Sequence, residues 1–421
     1  MKKIKLFFGV SMFLPLMANA AEGKLNVGDT AWMIVATALV MVMTPAGLAL
    51  FYGGLTRKKN ILNTIGMSLA GYSVATLAWV VIGYSIAFGK GDLIGTGKIM
   101  LSGITPDTIK GTIPELLFVA FQGTFAAITI AIAGGAMIER VKFSTYLIFS
   151  FIWTIVVYAP IAHWAWGGGE TLNFGEMDFA GGTVVHINAG IAGLVVAMML
   201  GKRRGFGREA IKPISPIFVA LGSALLWFGW FGFNAGSELA ADGVAANAFM
   251  VTNVAAALGV LGWMAAEYVV YKKPTIVGAA SGAVAGLVAI TPASGSAGVG
   301  GAIIIGFIGG ILGLLGVAKV KKLFKIDDAL DAFWVHGFVG IWGSIATAIF
   351  IAGYALPKDY SVALQLVKQI EAILLTVVYS GIMSAVVFYL SSLMTKGGRV
   401  DDETELIGLD ESVHGEEAFN L

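Results

Sequence analysis

The sequence contains no cysteine and few charged residues. The absence of cysteine from all 421 residues excludes disulfides, thiol catalysis and cysteine-ligated metal sites. Only 13% of residues are charged and 57% are apolar, whereas about a quarter of a typical soluble domain is charged. The net charge of +1 gives no indication of a nucleic-acid partner. The composition therefore predicts a membrane protein.

The motifs of common enzyme active sites are also missing. We find no catalytic carboxylate pair, no nucleophile elbow and no nucleotide-binding loop. We therefore expect a protein that is not an enzyme and that needs no cofactor.

The first twenty residues have the pattern of a cleavable signal peptide. Lys2, Lys3 and Lys5 precede an apolar run over residues 6–17, and A-N-A follows at 18–20. We predict cleavage after Ala20. The alternative is an uncleaved first helix, although about a dozen apolar residues are too few to span a bilayer.

Long apolar segments follow one another along the rest of the chain. Since a span needs about 20 apolar residues, the sequence predicts an all-α polytopic membrane protein with 11 transmembrane helices. The 57 glycines fit this class, because small residues let membrane helices pack closely. The predicted spans are 31–53, 61–88, 114–138, 143–164, 181–201, 215–236, 245–269, 274–293, 297–318, 330–353 and 368–395.

Basic residues in alternate loops predict the orientation of these spans. Clusters of Lys and Arg lie at 57–59, 140–142, 202–212, 272–273, 319–325 and 396–399. The intervening loops hold only Lys90, Lys98, Lys110 and Lys358, with Lys368 opening the last span. The positive-inside rule then places the mature N-terminus outside and the C-terminus in the cytoplasm, as an odd number of spans requires.

A duplicated histidine motif indicates an internal repeat. The pattern V-H-x-x-x-G-I-x-G occurs at 185–193 and again at 335–343, on the fifth and tenth spans. With the predicted topology, equivalent spans run in opposite directions, which predicts an inverted 5+5 repeat plus one extra helix. The transmembrane domain is then 21–395, with halves of about 28–201 and 215–353, the extra helix at 368–395 and a tail at 396–421.

His186 and His336 are the ionisable groups of this repeat. Membrane-embedded ionisable groups indicate ion or proton pathways, and two imidazoles in contact could share a proton. The alternative is two separate histidines bonded to backbone carbonyls. Two histidines without a nearby cysteine or carboxylate are too few for a typical zinc site, so we expect no metal.

Aromatic residues gather at the predicted outer ends of the third, fourth and sixth spans. These are Phe121, Phe125, Trp166, Trp230 and Phe233, and they are accompanied by Ser237. Aromatic faces attract cations and a hydroxyl can accept a hydrogen bond from a protonated amine, so the pattern is compatible with a cation site. Ordinary interfacial tryptophans and core phenylalanines would look the same.

Carboxylates mark two helix starts and the tail. Asp178 precedes the fifth span and can either cap its N-terminus or bind a transported cation directly; Asp328 and Asp331 are interpreted in the same way. After Arg399 the tail carries eight acids and no Lys or Arg, which indicates a solvated segment. A regulatory docking role for the tail is left open.

Several motifs together resemble the Amt/Mep/Rh ammonium transporter family, in its bacterial AmtB type. The resemblance extends from about residue 28 to the C-terminus. The matching motifs lie at 45–55, 57–60, 121–126, 178–186, 230–237, 335–337, 408–410 and 414–419.

The resemblance implies a role for each pore residue. Phe125, Trp166 and Ser237 match an external ammonium site, and Phe121 and Phe233 match a stacked phenyl gate beneath it. His186 and His336 match paired pore histidines, Trp230 lines the pore beside them, and Asp178 supports the recruitment site. These assignments are carried over from the family motifs.

The resemblance also implies a function, a location and partners. We expect a homotrimer in the bacterial inner membrane that binds a cytoplasmic PII protein of the GlnK kind. Ammonium would be recruited outside and deprotonated, with NH3 conducted inward and the proton relayed by the histidines; methylammonium is an open substrate. The alternatives are transport of intact NH4+, an electroneutral gas channel and an ammonium sensor that signals through PII.

Overall fold

The fold was analysed in a computed structural model that describes residues 23–419. The predicted signal peptide, 1–20, lies outside the described residues and stays a prediction.

Within residues 23–419, eleven apolar helices form the body of the protein, as the sequence predicts. Ten are long and apolar enough to cross a membrane, and the tenth in chain order is a shorter apolar helix. They are α1 (Val27–Leu55), α2 (Lys58–Phe88), α3 (Glu115–Gly134), α4 (Phe143–Gly167), α5 (Gly182–Leu200), α6 (Pro216–Gly236), α7 (Gly243–Tyr271), α8 (Ile276–Ala293), α9 (Val299–Val320), α10 (Phe333–Ile349) and α11 (Val362–Met394).

Short elements complete the fold at the two ends of the helices. A two-stranded antiparallel ribbon, β1 (Ile109–Lys110) and β2 (Ile113–Pro114), precedes α3. A short helix, α12 (Asp402–Ile407), and a π-helical turn, Asp410–His414, form the tail. We call the end of the molecule that carries this tail the tail end and the opposite end the aromatic end.

Polar side chains fix where several helices begin. The first N–H groups of a helix have no partner within it, and a preceding Asn, Ser, Thr or Asp can accept their hydrogen bonds. The residues that cap helices in this way are Asn26, Ser215, Asp242, Thr275, Ser361 and Asp401.

The packing of α5 and α10 follows the predicted inverted repeat. The last glycine of the histidine motif in α5, Gly193, packs on Ala133 of α3. A Cβ added to Gly193 would lie 3.0 Å from the carbonyl oxygen of Ala133. Its counterpart in α10, Gly343, packs on Ala289 of α8. A Cβ added to Gly343 would lie 2.5 Å from the carbonyl oxygen of Ala289. Because α3 and α8 are equivalent in the two halves, each motif helix packs on the corresponding helix of its own half.

A buried ionic network joins the loops at the tail end. Glu139 accepts hydrogen bonds from Thr56 and Arg57, and its carboxylate lies 3.1 Å from Arg203. Arg203 in turn pairs with Asp327 at 2.8 Å. Burial acts to raise the pKa of Glu139, but the adjacent guanidinium groups outweigh it and lower that pKa to about 2.

We expect Glu139→Gln to destabilise the protein by about 3–5 kcal/mol, because it breaks a buried ion-pair network, leaving Arg57 without its carboxylate and the buried Arg203 with Asp327 alone. The lowered pKa adds stability that is complete above the ordinary value of 4.5 and is lost as pH falls towards 2. Between pH 4.5 and pH 2, the variant should therefore lose less stability than the wild type, as measured by thermal unfolding in detergent. Glu403→Gln, an exposed tail position, is the matched control, and equal pH slopes in both variants would contradict the assignment.

The acidic tail packs against the tail-end loops through the buried Glu405 and Asp410, whereas its other six acids are exposed, as expected for a solvated segment. Glu405 is buried and accepts hydrogen bonds from the N–H of Arg204 and from the guanidinium of Arg399, each at 2.6 Å. Asp410 accepts the N–H of Leu62 at 3.0 Å, close to the start of α2. Composition does not reveal this docking, because the distant partners of the two carboxylates are the backbone N–H groups of Arg204 and Leu62.

Candidate functional site

Both motif histidines lie on π-helical turns. His186 lies in Gly182–Ile187, which opens α5, and His336 lies in Phe333–Phe338, which opens α10. Such turns are rare and are frequent at functional sites.

The glycine four residues after each histidine allows the two motifs to cross in contact. A Cβ on Gly190 would lie 2.5 Å from the backbone nitrogen of Gly337. A Cβ on Gly340 would lie 3.2 Å from the Cβ of His186. The repeated H-x-x-x-G spacing therefore lets the start of each helix pack on the other.

Asp178 and Asp328 each accept backbone N–H groups at the start of a motif helix. The Asp178 carboxylate accepts from Thr183 at 2.8 Å and Val184 at 3.2 Å, and also from Gly181 and Gly182 and from the Thr183 hydroxyl. Asp328 accepts the N–H groups of Ala332 and Phe333. Both carboxylates thus lie at the positive ends of helix dipoles.

The two histidines are buried and in contact. Their Nδ1 atoms are 3.3 Å apart and their rings are stacked with centroids 5.3 Å apart. Nε2 of His186 has no hydrogen-bond partner. His163 differs, because its Nδ1 lies 2.9 Å from the carbonyl oxygen of Ala87 and its Nε2 lies 3.1 Å from that of Gly91.

A stacked phenyl pair lies next to the histidines on the aromatic side. Phe125 and Phe233 are parallel within 9° with centroids 4.1 Å apart, and both are buried. The predicted stacking of Phe121 on Phe233 is therefore wrong, since Phe121 instead packs against Phe125 at 4.9 Å and a 57° tilt. The rings of Phe233 and His186 are 6.0 Å apart, so the phenyl pair adjoins the histidine pair.

Trp166 and Ser237 lie beyond the phenyl pair, at the aromatic end. The ring of Trp166 meets Phe125 edge-on with centroids 6.1 Å apart, and its Nε1 donates to the carbonyl oxygen of Asp178 at 2.8 Å. Ser237 is partly exposed and donates to the carbonyl oxygen of Phe233 at 2.8 Å. Trp166 is also partly exposed, so solvent reaches this end of the ring series.

Trp230 stacks beside the histidine pair. Its ring centroid is 5.4 Å from that of His186, and its Nε1 donates to the Thr291 hydroxyl at 2.9 Å. The partner Thr291, on α8, could not be found from the sequence, because no motif marks a single threonine in an apolar span.

A cavity of about 490 Å³ opens at the tail end and reaches His336. Its lining also includes the ion pair between Lys321 and Asp331, whose charged atoms are 2.6 Å apart. Trp166, Phe125, Phe233, His186 and His336 thus form one series of neighbouring rings from the aromatic end to this cavity. Within residues 23–419 no group of three or more His, Asp or Glu side chains is placed to hold a metal ion.

Comparisons with known proteins agree over nearly the whole chain. The chain matches the model of the Ammonium Transporter Family over residues 31–419. It is 48% identical to an ammonium transporter of Aquifex aeolicus, covering 96% of each chain, and 47% identical to one of Bacillus subtilis, covering 94% of this chain and 99% of the relative.

Solved structures share the fold as well. Saccharomyces cerevisiae Mep2 superposes with a TM-score of 0.82 at 35% identity, over 90% of both chains. A sensor Amt protein superposes with a TM-score of 0.86 at 29% identity, over 93% of this chain and 98% of that one. By sequence and by fold, this chain is a multi-pass membrane protein that belongs to the ammonium transporter family.

Proposed function

We propose that the protein transports ammonium into the cell by binding NH4+ at the aromatic end, deprotonating it, and conducting NH3 and the proton separately to the tail end. The observation that carries this proposal is the series of rings from Trp166 to His336. It joins a partly exposed aromatic mouth to a cavity at the opposite end, with two touching imidazoles between them.

The mouth offers NH4+ two kinds of favourable contact. The faces of Trp166 and Phe125 can each stabilise a cation by about 0.5–2 kcal/mol, most when it is desolvated. The Ser237 oxygen can accept a hydrogen bond from an ammonium N–H. Potassium has the same charge but no N–H to donate, so the hydroxyl favours ammonium over potassium. The Asp178 carboxylate, held behind Trp166 at the start of α5, adds a favourable field for cations.

The stacked pair of Phe125 and Phe233 is the gate in this proposal. At 4.1 Å the two rings touch, so a molecule passes only when a ring moves. A charged, hydrated ion is costly to bring into such an apolar passage, whereas neutral NH3 is far less so. Deprotonation at the gate, with the proton passing to His186 beside Phe233, therefore favours the passage of NH3.

His186 and His336 carry the proton in this proposal. With Nδ1 atoms 3.3 Å apart, one neutral ring can donate to the other, and a proton can pass along the pair by exchange of roles. The unpartnered Nε2 of His186 provides the entry acceptor, and His336 opens to the tail-end cavity. Net transport then moves one charge per ammonium.

We expect Trp166→Leu to raise the half-saturating ammonium concentration roughly 5- to 30-fold, the equivalent of about 1–2 kcal/mol of lost cation–π energy. Currents recorded over a range of ammonium concentrations would measure this shift. Trp166→Phe should keep part of the affinity because it keeps an aromatic face. Trp164→Leu is the matched control, since Trp164 also donates to a backbone carbonyl but lies outside the ring series. An unchanged concentration dependence in Trp166→Leu would remove its binding role.

An ammonium sensor is the second candidate, favoured by the structural match to a sensor Amt protein. A growth test distinguishes the two functions. It uses cells whose own ammonium transporters are deleted, grown on low ammonium at acid pH, where little NH3 diffuses in. A transporter restores growth. Absence of growth, with the protein present in the membrane, would favour the sensor.

The family resemblance further supports a homotrimer in the bacterial inner membrane, with the aromatic end outside. It also supports a PII protein of the GlnK kind as a cytoplasmic partner at the tail end. Crosslinking in native membranes tests the trimer, and co-purification with a PII protein tests the partner.

A further inference from the structure

We propose that the tail-end cavity contains a cation site that is filled by the chain's own Lys321, and that ammonium leaving the pore competes with this lysine. The site consists of the Asp331 carboxylate and the backbone carbonyl of Asp328. This inference rests on the proposed function, because the NH3 and the proton delivered to the cavity recombine there as NH4+, which is the competing ion.

The lysine is held by two oxygens at short range. Its Nζ lies 2.6 Å from Oδ1 of Asp331 and 2.6 Å from the carbonyl oxygen of Asp328. The side chains of Lys321 and Asp331 are 15% and 26% exposed, so solvent and small ions reach the pair. Both residues line the same cavity as His336.

The other charged groups of the cavity are either committed to other partners or located at its rim. Arg203 pairs with Glu139 and Asp327. Glu267 accepts hydrogen bonds from the N–H and hydroxyl of Thr275. Glu209 is exposed at the rim. Asp331 is therefore the carboxylate that a departing cation meets close to His336.

The lysine head group and the cargo have the same chemistry. A protonated lysine offers three N–H donors and a unit charge, and NH4+ offers four donors and the same charge. Without Lys321, the oxygens of Asp331 and Asp328 would hold NH4+ at the exit and slow its release. A tethered ammonium group competes at an effective concentration set by its short tether, so it keeps the exit site weak.

Replacing Lys321 by methionine tests this proposal, because methionine is unbranched and uncharged. In proteoliposomes preloaded with ammonium, we expect the internal concentration that halves the inward current to fall about tenfold or more in Lys321→Met. Lys321→Arg should behave like the wild type. The double variant Lys321→Met/Asp331→Asn should lose the added inhibition. Lys325→Met, an exposed lysine four residues away, is the matched control.

A binding measurement provides a second readout that does not need transport. Ammonium chloride, compared with choline chloride, should raise the melting temperature of Lys321→Met more than that of the wild type, in which ammonium binds at the mouth, and this excess should be absent in the double variant. Equal internal inhibition in Lys321→Met and Lys325→Met would overturn the proposal. So would a uniformly reduced current and stability that are independent of internal ammonium, which would make Lys321 a structural clamp.

The outcomes also separate this site from the proposed function. If the wild type gives no ammonium flux but Lys321→Met shows a larger saturable thermal shift than the wild type and the double variant, the exit site stands and transport fails. If the wild type transports ammonium but neither readout responds to Lys321→Met, transport stands and the exit site fails.

Discussion

Replacing both His186 and His336 by leucine should reduce the ammonium-evoked current to the level of protein-free vesicles. Leucine can neither donate nor accept a proton, so the path between the phenyl pair and the tail-end cavity would lose both of its proton carriers. Each single replacement should have nearly the same effect, because a two-site relay fails when either site is lost. Such non-additive losses are typical of groups that act as a unit.

Binding at the mouth should survive this change, because Trp166, Phe125 and Ser237 are untouched. Ammonium-dependent thermal stabilisation would report it. His163→Leu is the control for loss of a buried histidine, since His163 is bound by backbone carbonyls and lies outside the ring series. It should reduce the folded yield without abolishing the current per folded protein. An undiminished, ammonium-selective current in the double variant would rule out the relay.

Asp178→Asn should destabilise the protein by roughly 3 kcal/mol or more and should remove most of the transport activity. One carboxylate oxygen accepts from Gly181 and Gly182 and the other from Thr183 and Val184. An amide presents donors where one of these oxygens stood, so it faces backbone N–H groups that need acceptors. Hydrogen bonds to charged groups are worth about 1.5–3 kcal/mol each, and several are lost together.

Asp328→Asn is the matched control for this prediction, because the inverted repeat places Asp328 at the equivalent position. It accepts only two backbone N–H groups in the described structure, and burial raises the pKa of its carboxyl to about 6. Its charge is therefore less strongly favoured, and the amide should cost less than at Asp178. Melting temperatures of the two variants would be compared, and an equal or larger loss for Asp328→Asn would contradict the capping account.

The number and order of the spans could be predicted from the sequence because hydropathy acts over whole helices, while the orientation that loop charge indicates stays a prediction. The helix starts near Asp178 and Asp328, and the duplicated histidine motif, were also visible, since each is a local pattern. Contact between His186 and His336 could not be established, because boundaries accurate to several residues do not fix whether two rings touch. The π-helical turns that present them have no recognisable sequence signal.

Contacts between segments that are distant in the sequence were the main features that could not be predicted. The stacking partner of Phe233 depends on how α3 and α6 cross, and the motifs alone suggested Phe121 where the structure has Phe125. The docking of Glu405 depends on the backbone N–H of Arg204 in another loop, and the pairing of Glu139 depends on Arg57 and Arg203. Composition describes the charge of a segment but not which distant group neutralises it.

The current evoked by an ammonium pulse across proteoliposomes tests the central claim most directly, with potassium and sodium pulses of equal concentration as controls. The account predicts an ammonium-selective current that scales with the amount of protein, because each ammonium carries one charge across. Electrical silence, with the protein folded and the vesicle interior becoming alkaline as NH3 enters, would contradict charge-coupled transport and establish an electroneutral channel.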